Sequence, residues 1–314
     1  MTDIPLHEMQ MRTVYALTLV DLADNDPNIV VIEADLGKAS GTIPTFSDAH
    51  PDRFIDTGVA EANMIGIGAG MAVDGFTPFC ASFTPFATRR VYDAITISVA
   101  YADANVKVVG TAPGITTGAN GGTHMCFQDL AIMRAMPNMT VFSPCDVYEL
   151  ASCVRWMAGN EGPMYMQMIR PEQPQIFDHD YKFNPETAVH MHEGDSATLV
   201  STGWMTQFAQ QAVAELAEDG VAVDHFHYAS VKPFDEQSLL DSASKTGHVV
   251  TVENQSVIGG LGGAVCEVLS ENLPTPVRRL GVHDQFGEVA TEEYLLNKHE
   301  MNVKHIKSAC RQGA

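Results

Sequence analysis

DTGVAEANMIGIGAGMAVDGFTPF, residues 56–79, decides the reading of this chain. Glu61 stands ahead of two turns built from Met64, Ile65, Gly66, Ile67, Gly68, Ala69 and Gly70, a spacing that predicts a helix over 61–73. A helix so rich in glycine is intrinsically weak, because glycine loses the most backbone freedom on ordering. It is retained where a neighbouring backbone or a ligand must come close. A carboxylate opening so apolar a helix is a candidate for proton exchange. It is equally a carboxylate resting on the positive end of a helix dipole, and the pattern alone leaves both readings open.

Around this stretch, short apolar runs alternate with helical patterns. NIVVIEAD (29–36), VKVVGTA (106–112), MTVFSP (139–144) and MYMQMIR (164–170) read as strands. They are unbroken rather than alternating, as strands buried on both faces are. Helical patterns lie near 7–25, 61–73, 86–104, 127–135 and 146–158. Residues 171–190 hold three prolines and no clear period, which marks a linker. A second run follows, with strands at 197–202, 221–228, 248–254 and 277–282 and helices at 205–219, 235–245 and 261–271. The expectation is an α/β protein of two doubly wound domains, 1–185 and 186–314.

Composition bounds the function. The 314 residues carry a formal charge of −21, which disfavours nucleic acid and anionic membrane as partners. The six cysteines form no CxxC pair and suit reduced thiols. The N-terminal MTDIPLHEMQMR has no basic segment leading into an apolar run, and no uncharged stretch is long enough to span a membrane. The expected location is the cytoplasm.

Two further segments could carry chemistry. In SFTPFATRRVYDAI (82–95), Phe83 and Phe86 follow a strand and could form a platform for a flat ring, or simply core. In TAPGITTGANGGTHMCFQDLAIMRAMPN (111–138), a glycine-rich loop leads to Thr123 and His124. Loops at strand ends of open α/β sheets are where ligands sit, and a histidine there can exchange protons. No GK[ST] follows, so this is not a Walker phosphate loop.

Glu61 before its glycine helix, the Phe83/Phe86 pair, G-x-N-G-G-T-H followed by MRAMPN, VVTVENQSVIGGLGGAV (249–265) and FGEVATEEYLLNKH (286–299) occur in a telling order. The ordered set resembles the pyrimidine-binding and C-terminal domains of transketolases, from about Arg12 to about His299. The resemblance implies thiamine diphosphate as cofactor with Mg²⁺, and transfer of a two-carbon ketol unit between sugars. By position it implies that Glu61 hydrogen-bonds N1′ of the aminopyrimidine and that Phe83 and Phe86 pack on that ring. It places His124 on substrate oxygen, and Arg12, Ser40 and Arg170 on a sugar phosphate. Asn120 stands where the family has an Asp for a substrate hydroxyl, Ala112 where many have a phosphate-contacting His, and Arg89 or Arg90 where an aromatic would extend the pocket. These departures imply an unusual sugar: branched, deoxy or sulfonated.

No G-D-G followed by Asn, the family's diphosphate and Mg²⁺ motif, occurs in the sequence, and no metal ligand is expected on this chain. The expected partner is therefore a separately encoded N-terminal subunit carrying that motif, in an α₂β₂ complex. The exposed glycine helix and the apolar SFTPF segment suit such an interface. The rival readings are the β subunit of a 2-oxoacid dehydrogenase E1 component, which shares this plan, and a non-catalytic regulatory subunit of the same fold.

Overall fold

A computed structural model describes residues 9–311. The stretch 1–8, read above for a leader peptide and for the start of the first helix, lies outside the described residues, as do 312–314. Twelve strands are found among the described residues: β1 Ile29–Glu33, β2 Phe54–Asp56, β3 Thr77–Phe83, β4 Lys107–Thr111, β5 Thr140–Phe142, β6 Met164–Met168, β7 Val189–His192, β8 Ala197–Ser201, β9 Val223–His227, β10 Ser230–Lys232, β11 Val249–Ser256 and β12 Val277–Val282. They form a seven-stranded sheet in the order β10-β5-β6-β4-β3-β1-β2 and a five-stranded sheet in the order β12-β11-β8-β9-β7. All pairings are parallel except two at sheet edges, β10 on β5 and β7 on β9. β1, β3, β4 and β6 are buried at every position. This is why their sequences run apolar without alternation.

The helix over Glu61–Val73 forms where the spacing predicts it. Met64, Ile65, Gly68 and Ala69 face the core. Gly68 is required by packing, since a Cβ there would lie 2.6 Å from Cys80 Sγ on β3. Gly66 and Gly70 face outward, with nothing within 4 Å of an added Cβ.

Two expectations are corrected. The 86–104 pattern is not one helix but successive short turns, Thr84–Ala87, Arg89–Val91, Tyr92–Ile95 and a wider turn at Thr96–Ala100. Pro85 starts the first turn early, and Thr88, with φ −126° and ψ −88°, leaves helical space and ends it. The SFTPF segment is not an exposed interface: Ser82 and Thr84 are fully buried and Phe83 nearly so. β10 comes from the second half of the sequence and pairs with β5 at the edge of the first sheet.

The connection between the sheets is held by hydrogen bonds rather than by regular structure. Asp146 caps its helix by accepting from the Glu149 amide, and its other oxygen accepts from the amides of Ile176 and Phe177. Glu149, fully buried, accepts from Tyr181 Oη at 2.8 Å and pairs with buried His227 Nε2 at 2.8 Å. Burial pushes the Glu149 carboxyl up, but the His227 charge and these hydrogen bonds hold it below the usual carboxylate range.

Candidate functional site

The carboxyl ends of β2, β3, β4 and β6 converge on one rim. Ligands bind at this edge of an open parallel sheet because the helix-bound returns leave a crevice there. Glu61 follows β2, Phe83 ends β3, Asn120 and His124 lie in the loop after β4, and Arg170 follows β6.

Glu61 is 5% exposed at the first turn of its helix, and its Oε1 accepts from Arg90 at 2.7 Å. Its setting is therefore not purely apolar, as the sequence suggested. The break at Thr88 turns Arg90 back toward the earlier helix. The Arg90 guanidinium lies 3.9 Å over the Phe86 ring, a cation–π arrangement. Phe86 and Phe83 meet at 6.3 Å, and the His124 ring stands edge-on to both, at 5.4 and 6.0 Å. Arg89 donates from Nη2 to the Thr123 carbonyl at 3.3 Å, and Thr123 Oγ1 lies 2.9 Å from His124 Nδ1. Arg170 approaches Phe83, 5.9 Å from its centroid. Carboxylate, guanidinium, aromatic faces and imidazole thus form one continuous patch.

Beside it runs a groove of about 940 Å³ lined by Arg12, Asn120 and Arg170, with Thr116–Gly118 on one side and Val289–Glu292 on the other. Arg12 Nε donates to Gln10 Oε1 at 2.7 Å. The groove gathers two guanidinium groups in a protein of net charge −21, a local arrangement suited to an anionic group.

Ser40 is not brought to this groove. It is fully buried, and its hydroxyl donates to the Glu33 carboxylate, as does that of Thr42 at 2.7 Å. Gly41, at φ +85°, lies so close to the Arg12 carbonyl that a Cβ would come within 2.5 Å of it. Ser40 and Gly41 are therefore packed inward behind Arg12, while Asp35 and Lys38 stay exposed. Ala112 is buried with φ +54° and offers no polar group.

Sequence reasoning missed three contributors. Arg90 was noted only as a departure, and its pairing with Glu61 spans 29 positions with no local signal. Glu292 and its neighbours enter the groove from the second domain. Asn254, buried in β11, grips the loop after β4.

Among the described residues two groupings have metal-ligating geometry: buried Cys145, Glu149 and His227, and exposed Asp178, His179 and Asp180. Neither lines the groove. No helix among the described residues is long and apolar enough to cross a membrane.

The family model for the transketolase pyrimidine-binding domain matches residues 7–175, and that for the transketolase C-terminal domain matches 186–306. The 6-deoxy-6-sulfo-D-fructose transketolase subunit SqwH of Clostridium sp. (strain MSTE9) is 46% identical over 99% of this chain and 96% of its own. An apulose-4-phosphate transketolase subunit of Phocaeicola vulgatus is 33% identical over 87% of this chain and 88% of its own. A solved structure described as a split gene transketolase, inactive beta4 tetramer, superposes with a TM-score of 0.90 at 40% identity, covering 97% of this chain and 98% of that one.

Proposed function

The chain belongs to the transketolase family, and from that premise we propose that it is one subunit of a split transketolase that moves a two-carbon ketol unit from a ketose to an aldose. The observation that carries this reading is the continuous patch from Glu61 through Arg90, Phe86 and His124, opening beside a groove with two arginines. Subunit-length relatives support the need for a partner chain. That partner is proposed to carry the G-D-G…N motif and to hold the diphosphate and Mg²⁺, in an α₂β₂ assembly in the cytoplasm.

The residues fit the coenzyme. A buried carboxylate linked through Arg90 to a pair of phenyl rings suits an aminopyrimidine, a flat ring that must gain and lose a proton. Bound thiamine diphosphate would supply the carbon nucleophile for breaking and remaking the sugar C2–C3 bond. Glu61 would hold a proton at N1′ of the pyrimidine, and Phe83 and Phe86 would orient the ring. Arg90 is 47% exposed on its side chain, so it can leave the Phe86 face to admit that ring while still bonding Glu61. His124 and Asn120 are proposed to contact substrate oxygens, His124 moving a proton there. Arg12 and Arg170 would bind the anionic end of the sugar. Ser40 drops out of this set because its hydroxyl is spent on Glu33.

Relatives named for sulfofructose and for apulose 4-phosphate support an unusual sugar with an anionic terminus. A phosphate- or sulfonate-bearing ketose fits the two arginines. Residues 1–185 and 186–314 are proposed as the two domains. The test is co-expression with the candidate partner and a screen of anionic ketose donors. Ketol transfer by the complex, with none by the chain alone, is the expected result. Tight coenzyme binding and turnover by the chain alone would overturn the split-subunit reading. Decarboxylation of pyruvate onto lipoamide would favour the 2-oxoacid dehydrogenase alternative.

A further inference from the structure

We infer that the second domain positions the substrate loop of the first, with Asn254 and the Gly287–Ala290 segment as its positioning elements. The inference rests on the functional reading above, which gives Asn120 and His124 their roles.

The loop from Pro113 to Phe127 is gripped at its start, middle and end. At the start, Asn254 Nδ2 donates to the Pro113 carbonyl at 3.0 Å while its Oδ1 accepts from the Ile115 amide at 3.1 Å. Asn254 is 2% exposed, so an unmade bond there would leave a buried amide unsatisfied. Gly114, at φ +60°, lies against it; a Cβ would fall 1.9 Å from the Asn254 carbonyl oxygen. At the end, the Ser256 amide donates to the Phe127 carbonyl at 2.8 Å.

The middle is held by the stretch after β12. The Ala290 amide donates to the Gly118 carbonyl at 3.2 Å. A Cβ on Gly118 would meet the Ala290 oxygen at 2.4 Å, one on Gly121 would meet Val289 Cγ2 at 2.6 Å, and one on Gly122 would meet the Gly287 oxygen at 2.3 Å. Gly118 and Gly122 of GANGG therefore leave room for another domain's backbone, and Gly121 for the Val289 side chain. Asn120 and His124 sit between these anchor points, facing the groove and the phenylalanine pair. Reaching distances of near-attack geometry depends on such support, and a displacement of about 1 Å can cost on the order of 100-fold in rate.

The test uses Asn254→Asp in the reconstituted complex. An ionised aspartate cannot donate to Pro113, while a protonated one can. The expected result is a fall in kcat/KM of about 10- to 100-fold at neutral pH. The ratio of variant to wild-type activity should then recover as pH is lowered. Faster hydrogen exchange confined to residues 114–127 should accompany the fall, with the complex still folded and assembled at the assay temperature. Should that variant fold poorly, Gly287→Ala replaces it. Its Cβ would press on Met125 Sδ, at 2.2 Å, and approach the Gly122 Cα at 3.1 Å, without removing a hydrogen bond. Unchanged kcat/KM overturns the inference. So does a loss of activity without faster loop exchange, or one that only tracks the melting temperature. If the wild-type complex transfers no ketol unit, the functional reading fails instead. Loop exchange in the variants still judges the grip.

Discussion

The carboxyl edges of the two sheets have the same parallel construction and opposite fates. At the first, the turns after β2, β3, β4 and β6 carry Glu61, Phe86, His124 and Arg170, which form a patch beside a groove that Arg170 also lines. At the second, the turns after β8 and β12 and the end of β11 are spent on docking. Gly203, at φ +50°, abuts Ser143, Asn254 binds the β4 loop, and Gly287–Ala290 lies against its glycines. The same topology thus makes a crevice in one domain and a grip on that crevice in the other. Function follows the side chains at the edge, not the fold.

The largest effect should come from the open edge. Glu61→Gln in the assembled complex should lower kcat by about 100-fold or more, the scale of a lost proton-transfer group. Melting temperature and assembly should hold, since Arg90 keeps an oxygen acceptor. Steady-state assay beside size-exclusion chromatography checks this; near-normal kcat would favour a non-catalytic subunit. Arg170→Ala or Arg12→Ala should raise KM for an anionic ketose about 10-fold or more, the worth of a charge-assisted hydrogen bond. A neutral ketose should be affected less. Equal effects on both donors would remove the arginines from the anion site.

Glu33 offers a smaller test, just behind this edge. Burial pushes its carboxyl up to about 8, against the opposing pull of the Ser40 and Thr42 hydroxyls, and its Oε2 has no partner among the described residues. The folded state thus holds a proton that the unfolded chain releases near pH 4.5. Stability from this group is full below that pH and is lost as pH rises through about 8. Glu33→Gln should therefore raise the melting temperature by several degrees at pH 8 and change it little at pH 4. Thermal scans at the two pH values decide; an equal shift at both would show that Glu33 is not protonated in the fold.

The smallest effects concern the glycine helix. Gly66→Ala should stabilise the chain alone by about 0.5–1 kcal/mol, because its Cβ meets open space. Gly68→Ala should destabilise it by forcing Cys80 aside. If a partner backbone packs on the outer face, Gly66→Ala should also weaken assembly, measurable by titration calorimetry.

Much of this was legible in order along the chain. Unbroken runs such as 106–112 announced buried parallel strands, and the spacing at 61–73 gave the helix bounds found, because both are local periodicities. The 86–104 pattern failed because an apolar period cannot reveal a break at one buried threonine. Ser40 was misassigned because an inward-turned hydroxyl and a groove-lining one look alike in sequence; only the placement of Glu33 separates them.

By itself the sequence determined the alternation of strands and helices, the acidic surface, and the kinds of side chain gathered near strand ends. These depend on neighbours a few positions apart. Only the tertiary structure decided which groups meet. It gave Glu61 its Arg90 partner, turned Ser40 away from the groove, and laid the GANGG loop on the second domain. Such contacts join residues from seven to more than 160 positions apart, and their energies depend on distance and burial, which chain order does not encode.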